Sequence, residues 1–261
     1  MPRVPTGSTY RVVDDCLRLG RSAVIDLSQA SAWEPECRSG TPRPPGTTPR
    51  RPPGSSSELL RHLPPARGFG AFLPALSAYA EGGSLPTRPL QATPVLTQAS
   101  PAVFGLARAC RERDEAALLA RAADLVGLGE GLTPSGDDFV GGVLFSLAML
   151  RDAGTRLPGS SPRAVASFLE RSRKRTNRIS FALLSDHGSG YACEPAHRFM
   201  LGLMAEGEPE LTRRAASDLV RIGHSTGWDL LAGMWTAWAI VSMGQSVVHT
   251  HVDASDFAAT P

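Results

Sequence analysis

The sequence predicts an α+β protein, predominantly helical in its C-terminal part, with a small β-containing region on the N-terminal side. Three observations carry this. The early chain holds β-branched runs, at residues 10–14 and 22–27, that suit short strands. Residues 139–150 and 230–243 are apolar on nearly every side and read as helices buried in a core. Each of these two segments is opened by the same motif: hydroxyl, Gly, any residue, Asp, two apolar residues, a small residue, Gly.

Taken in order, residues 1–100 are weakly patterned and read as an irregular, β-containing N-terminal region. Within it, residues 38–57 consist mostly of Gly, Pro, Arg, Ser and Thr. Such a stretch offers too little apolar surface to offset the entropy of ordering it, and reads as a disordered insert. Between 58 and 80 short helical pieces alternate with breakers, including Pro64-Pro65 and Gly68-Phe-Gly70. Prolines at 86, 89 and 94 make residues 85–95 extended chain or an edge strand. Residues 101–261 read as a helical domain carrying the paired motifs. Its helices are expected over 102–113, 115–125, 139–150, 165–175 continuing to 184, 194–204, 211–222 and 230–243. Residues 186–190 read as a turn, and the tail from 244, with His249 and His251, as a fraying end or strand.

Composition narrows the function classes. A chain of 261 residues is long enough for one large domain or two small ones. A formal charge of +2 gives no electrostatic reason to expect nucleic-acid binding. Cys16, Cys37, Cys110 and Cys193 lie far apart without a Cys-x-x-Cys pair, which suits free thiols in a reducing cytoplasm better than zinc or a disulfide frame. Residues 1–9 hold two prolines and no apolar run, so no secretory leader is expected. Both apolar segments fall short of the ~20 residues that span a bilayer.

The chemistry is expected at the paired motifs. Positions 226, 229 and 233 each lie 91 residues beyond 135, 138 and 142, so the second motif repeats the first. Gly127, Gly129 and Gly131 precede the first copy and permit backbone angles that side chains forbid. Ser135 and Thr226 are expected to cap the first amides, and unpaired amides at a helix entry would seat a phosphate or carboxylate. The same spacing, Ser135 to Asp138 and Thr226 to Asp229, also fits a capping box in which the acid bonds back to the cap amide. A capping box does not, however, call for Gly136, Gly227 or the second acid Asp137.

Asp137, Asp138 and Asp229 are the candidate catalytic carboxylates. They would accept hydrogen bonds from an amide, act as a general base, or hold Mg²⁺ at Asp137 and Asp138. His224, just before the second motif, is the candidate acid/base histidine. Thr176 and Ser180 lie four apart and would share one face of a helix. His187 and His197 lack metal-ligand spacing. Ser189 lacks the strand–turn–helix setting of a nucleophile, and Trp228, Trp235 and Trp238 suit core packing.

Gly131-Leu-Thr-Pro-Ser-Gly-Asp-Asp138, Thr176-x-x-x-Ser180 and Ile222-Gly-His-Ser-Thr-Gly-Trp-Asp229 together resemble the bacterial AllH-like family. The likeness runs over about residues 100–245. One branch of that family is regarded as a subunit of oxamate carbamoyltransferase, which interconverts carbamoyl-oxamate and phosphate with oxamate and carbamoyl phosphate. The resemblance therefore implies a transferase working beside companion subunits on a small anionic substrate. It implies a site at Gly129, Gly131, Thr133, Ser135, Gly136, Asp137, Asp138, Thr176, Ser180, His224, Ser225, Thr226, Gly227 and Asp229. The residues themselves leave two other classes open: a stand-alone lyase, cyclase or hydrolase on a small amide or carboxylate, and a non-catalytic ligand-binding subunit.

Overall fold

The computed structural model describes residues 10–19, 23–31, 60–154, 161–204 and 209–244. The expectations for 38–57 and for the histidine-bearing tail lie outside them. By its internal contacts the chain divides into two compact units, residues 1–38 and 39–261.

The first unit contains a three-stranded antiparallel meander, β1 (Tyr10–Val13), β2 (Cys16–Leu19) and β3 (Ala23–Asp26). Asp14 and Asp15 form the two-residue turn between β1 and β2, both with positive φ, which matches the twist of the strands they join. The sequence pointed to β1 and β3 and missed β2, whose Cys-Leu-Arg-Leu composition is a weak strand signal.

The second unit is helical. A 3-10 helix (Gly68–Phe72) runs into α1 (Leu73–Ala80), followed by α2 (Pro94–Glu112), α3 (Glu115–Leu125), α4 (Ser135–Asp152), α5 (Pro162–Ser172), α6 (Arg178–Gly188), α7 (Glu194–Met204), α8 (Pro209–Leu219) and α9 (Thr226–Gly244). No helix among the described residues is long and apolar enough to cross a membrane. Of residues 85–95, expected as extended chain or an edge strand, 85–93 are irregular chain without a strand, and 94 and 95 open α2. Pro94, one of the three prolines behind that expectation, occupies the first turn of α2, where a missing N–H is harmless, next to the Thr93 side chain that caps the helix. The turn expected at 186–190 is largely the end of α6, which runs on to Gly188.

The core is organised around α4 and α9, which pack against each other along a glycine seam. A Cβ on Gly142 would lie 2.2 Å from the carbonyl oxygen of Leu230, and one on Gly233 would lie 1.9 Å from that of Phe139. The contacts are reciprocal: Gly142 faces Leu230 and Met234, while Gly233 faces Phe139 and Val143. These are the same positions in the two motif copies, so α4 and α9 are related by an approximate two-fold axis. Trp235 and Trp238, both fully buried, complete the packing, and the Trp235 indole donates to Ser77 on α1 at 3.0 Å. Apolar side chains cover α4 and α9 on nearly all sides, as their sequence requires.

Candidate functional site

The two helix entries are built alike. Gly136 is so close to the end of α3 that a Cβ would lie 2.0 Å from the Leu125 carbonyl oxygen. Gly227 stands against the end of α8, where a Cβ would lie 1.9 Å from the Leu219 oxygen. These glycines let each entry pack onto the helix before it, so the close approach they permit is to the chain's own backbone. The first loop is the longer: Gly136 donates to Leu128 at 2.8 Å, whereas Gly227 reaches back only to Ile222 at 3.0 Å. Gly127, Gly129 and Gly131 carry φ of +82°, +122° and +94° and supply that extra length. Gly129 sits against the Ser135 amide, whereas around Gly131 the space is open.

Neither capping box forms. Helix α4 begins at Ser135 with Pro134 as its cap residue and no side-chain cap, so Ser135 does not play the capping role expected of it. The helix begins one residue earlier than a capping box at Ser135 and Asp138 needs, which puts Asp138 in the fourth helical position. The amides of Asp137 and Asp138 donate to the Pro134 carbonyl at 2.9 and 3.1 Å, and that of Asp229 to Ser225 at 2.9 Å. With Gly136 and Gly227 also paired, most of the entry amides are already engaged.

The two adjacent acids have separate surroundings. Asp137, 1% exposed, is held on both oxygens. Oδ1 accepts the Gly127 amide at 2.6 Å; Oδ2 accepts the Ser180 hydroxyl at 2.5 Å and the Thr176 hydroxyl. This clasp ties the glycine loop to α6. Thr176 and Ser180 do meet at one atom, though Thr176 stands before the helix, whose cap is Asn177. The Asn177 side chain also donates to the Leu132 carbonyl at 2.8 Å and adds a second tie to the loop.

Asp138 and Asp229 face each other's helix entries. The Thr133 and Thr226 hydroxyls lie against Asp138 and favour its charged form, and the Thr133 and Thr226 oxygens are 3.1 Å apart. The Ser135 and Ser225 hydroxyls do the same for Asp229. Each acid therefore meets the hydroxyl that opens the other helix: Asp138 with Thr226, Asp229 with Ser135. Asp138 is 4% exposed and Asp229 0%. Burial pushes the Asp138 carboxyl up to about 7, with help from the neighbouring charges of Asp229 and Asp137. Burial likewise pushes Asp229 up to about 6, against the opposing pull of the Phe69 amide. On both residues Oδ2 has no hydrogen-bond partner. Two buried acids with matched, unpaired oxygens and displaced pKa values make this pair the candidate site.

The 3-10 helix supplies a part of this site that sequence reasoning missed. The Phe69 amide donates to Asp229 Oδ1 at 2.5 Å, and a Cβ on Gly68 would strike the same oxygen. Gly68 has φ +51°, which side chains disfavour, and a Cβ there would crowd the carboxylate that Phe69 holds. The signal was Gly68-Phe-Gly70, visible as punctuation but with nothing to say which element 160 residues away it would meet. His224 is exposed, and its carbonyl accepts from Arg67 at 3.4 Å. It is not packed into the acid pair.

His187 is the histidine beside the site. It is buried on α6 against Gly141 and Phe145 with Nδ1 unpartnered, and burial holds it down to about 4, hence neutral. With Asp138 and Thr226 it lines a cavity of about 260 Å³, whose walls include Leu183, Ile222 and Leu230. Among the described residues no group of three or more His, Cys, Asp or Glu side chains is arranged to hold a metal ion. Asp137, expected to share Mg²⁺ with Asp138, already accepts three hydrogen bonds.

The paired entries, their acids and the clasp at Thr176 and Ser180 all fall within one stretch of known similarity. Residues 125–238 match the AllH family. Its description is oxamate carbamoyltransferase subunit AllH. The AllH match begins at the last residue of α3 and closes within α9, so it takes in both motifs and leaves out the Gly68–Phe72 segment that covers Asp229. No solved structure matches the chain.

Proposed function

We propose that this chain is an AllH-type subunit of a carbamoyltransferase acting on a small oxamate-like acceptor, with Asp138 and Asp229 as its proton-handling pair. The buried pair across the two helix entries, each acid with an unpartnered oxygen, carries the reading. The AllH match over the same residues supports the substrate class and the need for companion subunits.

In the synthetic direction the acceptor nitrogen attacks the carbamoyl carbon. The bond from that carbon to the phosphate oxygen breaks, and the proton leaving the nitrogen passes to the aspartate pair. Phosphorolysis runs the same steps backwards, the pair returning the proton to the departing nitrogen. Carboxyls held near 6 and 7 suit both directions, because they give and take a proton at neutral pH. Because the two acids interact, they titrate as a pair. Thr133, Ser135, Ser225 and Thr226 orient them, and Asp137, Thr176 and Ser180 hold the glycine loop in place. The expected anion seat at the helix-entry amides draws little support, since those of Gly136, Asp137, Asp138, Gly227 and Asp229 already donate within the chain.

The test is phosphorolysis of carbamoyl-oxamate by the chain assembled with its companion subunits. Asp138→Asn and Asp229→Asn are each expected to lower kcat by about 10²–10⁴-fold, the usual contribution of a positioned acid or base. Undiminished turnover in both variants ends the proposal.

A further inference from the structure

The cavity beside Asp138 has a chemistry that narrows what the site can hold. Among the described residues that line it there is no Lys or Arg; its charge-bearing members are Asp138 and Asp186, and buried His187 is neutral. Asp138 is 96% buried and its Oδ2 has no partner, so its surroundings present an acceptor in want of a donor. A phosphate or carboxylate placed here would meet an acid with no cation to compensate, an arrangement that burial makes worse. Leu183, Ile222 and Leu230 make much of the wall apolar. At about 260 Å³ the cavity is smaller than the roughly 300–1,000 Å³ that takes drug-sized ligands.

We infer that this cavity receives a small, uncharged N–H-bearing group, the amide or ureido end of the substrate, bound through Asp138 Oδ2, and that it excludes the anionic end. The inference rests on the carbamoyl reading for its choice of a neutral amide over an ammonium group. The positive charge that an anionic co-substrate requires then comes from outside the cavity, which gives a companion subunit a definite job: to bring cations to the mouth. Leu183, 38% exposed, stands at that mouth.

Isothermal titration of the full chain at about pH 8, with butyramide, propylurea, butyrate and butylamine, tests this without any turnover. Butyramide and propylurea are expected to bind, with butyrate weaker by about tenfold or more, the factor that 1.4 kcal/mol confers. Leu183→Trp, which fills the mouth and leaves the acids untouched, is expected to abolish amide binding. Asp138→Asn, which removes the charge that repels a carboxylate, is expected to narrow the amide-over-butyrate preference. Butyrate binding as well as butyramide, butylamine binding tightest, or no binding by any of the four overturns the inference. Its failure is separable from that of the proton-transfer role. Loss of turnover in Asp138→Asn without an amide preference removes the cavity assignment alone; an amide preference with full turnover in both Asn variants removes the proton role alone.

Discussion

Asp138 and Asp229 are acids that the fold holds out of water against their chemistry. Both pKa values lie above the ordinary 3.8, so the folded chain keeps protons that the unfolded chain has released. The pair's contribution to stability must then fall as pH climbs from about 4 to about 7, and level off above that, while buried His187, held neutral, contributes in the opposite direction below about 6.5. Chemical denaturation at about pH 5 and about pH 8 checks this. Asp138→Asn and Asp229→Asn are expected to lose less stability over that interval than the wild type, and equal losses would contradict the assignment of the shift to this pair. The identity of these acids was legible in the sequence through the 91-residue repeat. Their partnering was not, because a capping box and a cross-bonded pair share the same spacing and differ only in where each helix starts. Phe69 was illegible for another reason: a backbone amide donates whatever its side chain, so its role depends on tertiary position alone.

Among the elements, α4 and α9 owe their contact to Gly142 and Gly233. A methyl group at either position meets backbone that cannot rotate away, so the helices must separate. Gly142→Ala and Gly233→Ala are each expected to destabilise by about 1–3 kcal/mol or more, as overpacked cores do. At about 2–4 °C per kcal/mol for a domain of this size, thermal unfolding resolves that. Gly131→Ala is the contrasting case, since nothing lies within 4 Å and only its positive φ resists, worth about 1–2 kcal/mol. Equal tolerance of all three would mean that the seam is not a close backbone contact. Long apolar periodicity made α4 and α9 legible, and α3 and α7 were read to the residue. Proline misled at 94 and 95, because a residue that suits extended chain also suits the first turn of a helix, and the Thr93 cap distinguishes the two outcomes.

For the molecule as a whole, residues 1–38 and 39–261 form separate compact units. Residues 68–100, which the sequence grouped with the N-terminal region, include the 3-10 helix, α1 and the start of α2, which pack into the helical core. A chain beginning at residue 39 is therefore expected to unfold cooperatively and to keep the helical circular dichroism of the full protein. Loss of that cooperativity would show that the helical unit depends on the meander. The break was hard to read because short helices rich in Gly and Pro resemble loops in composition, while their buried Phe69 and Phe72 reveal themselves only by packing.

An approximate dyad would, if perfect, offer its substrate two indistinguishable acids and no way to choose between them. Here one end is stoppered: Asp229 is covered by the Gly68–Phe72 turn, while Asp138 opens on the cavity. A repeated frame has in this way acquired a front and a back, one acid closed off and the other facing the cavity.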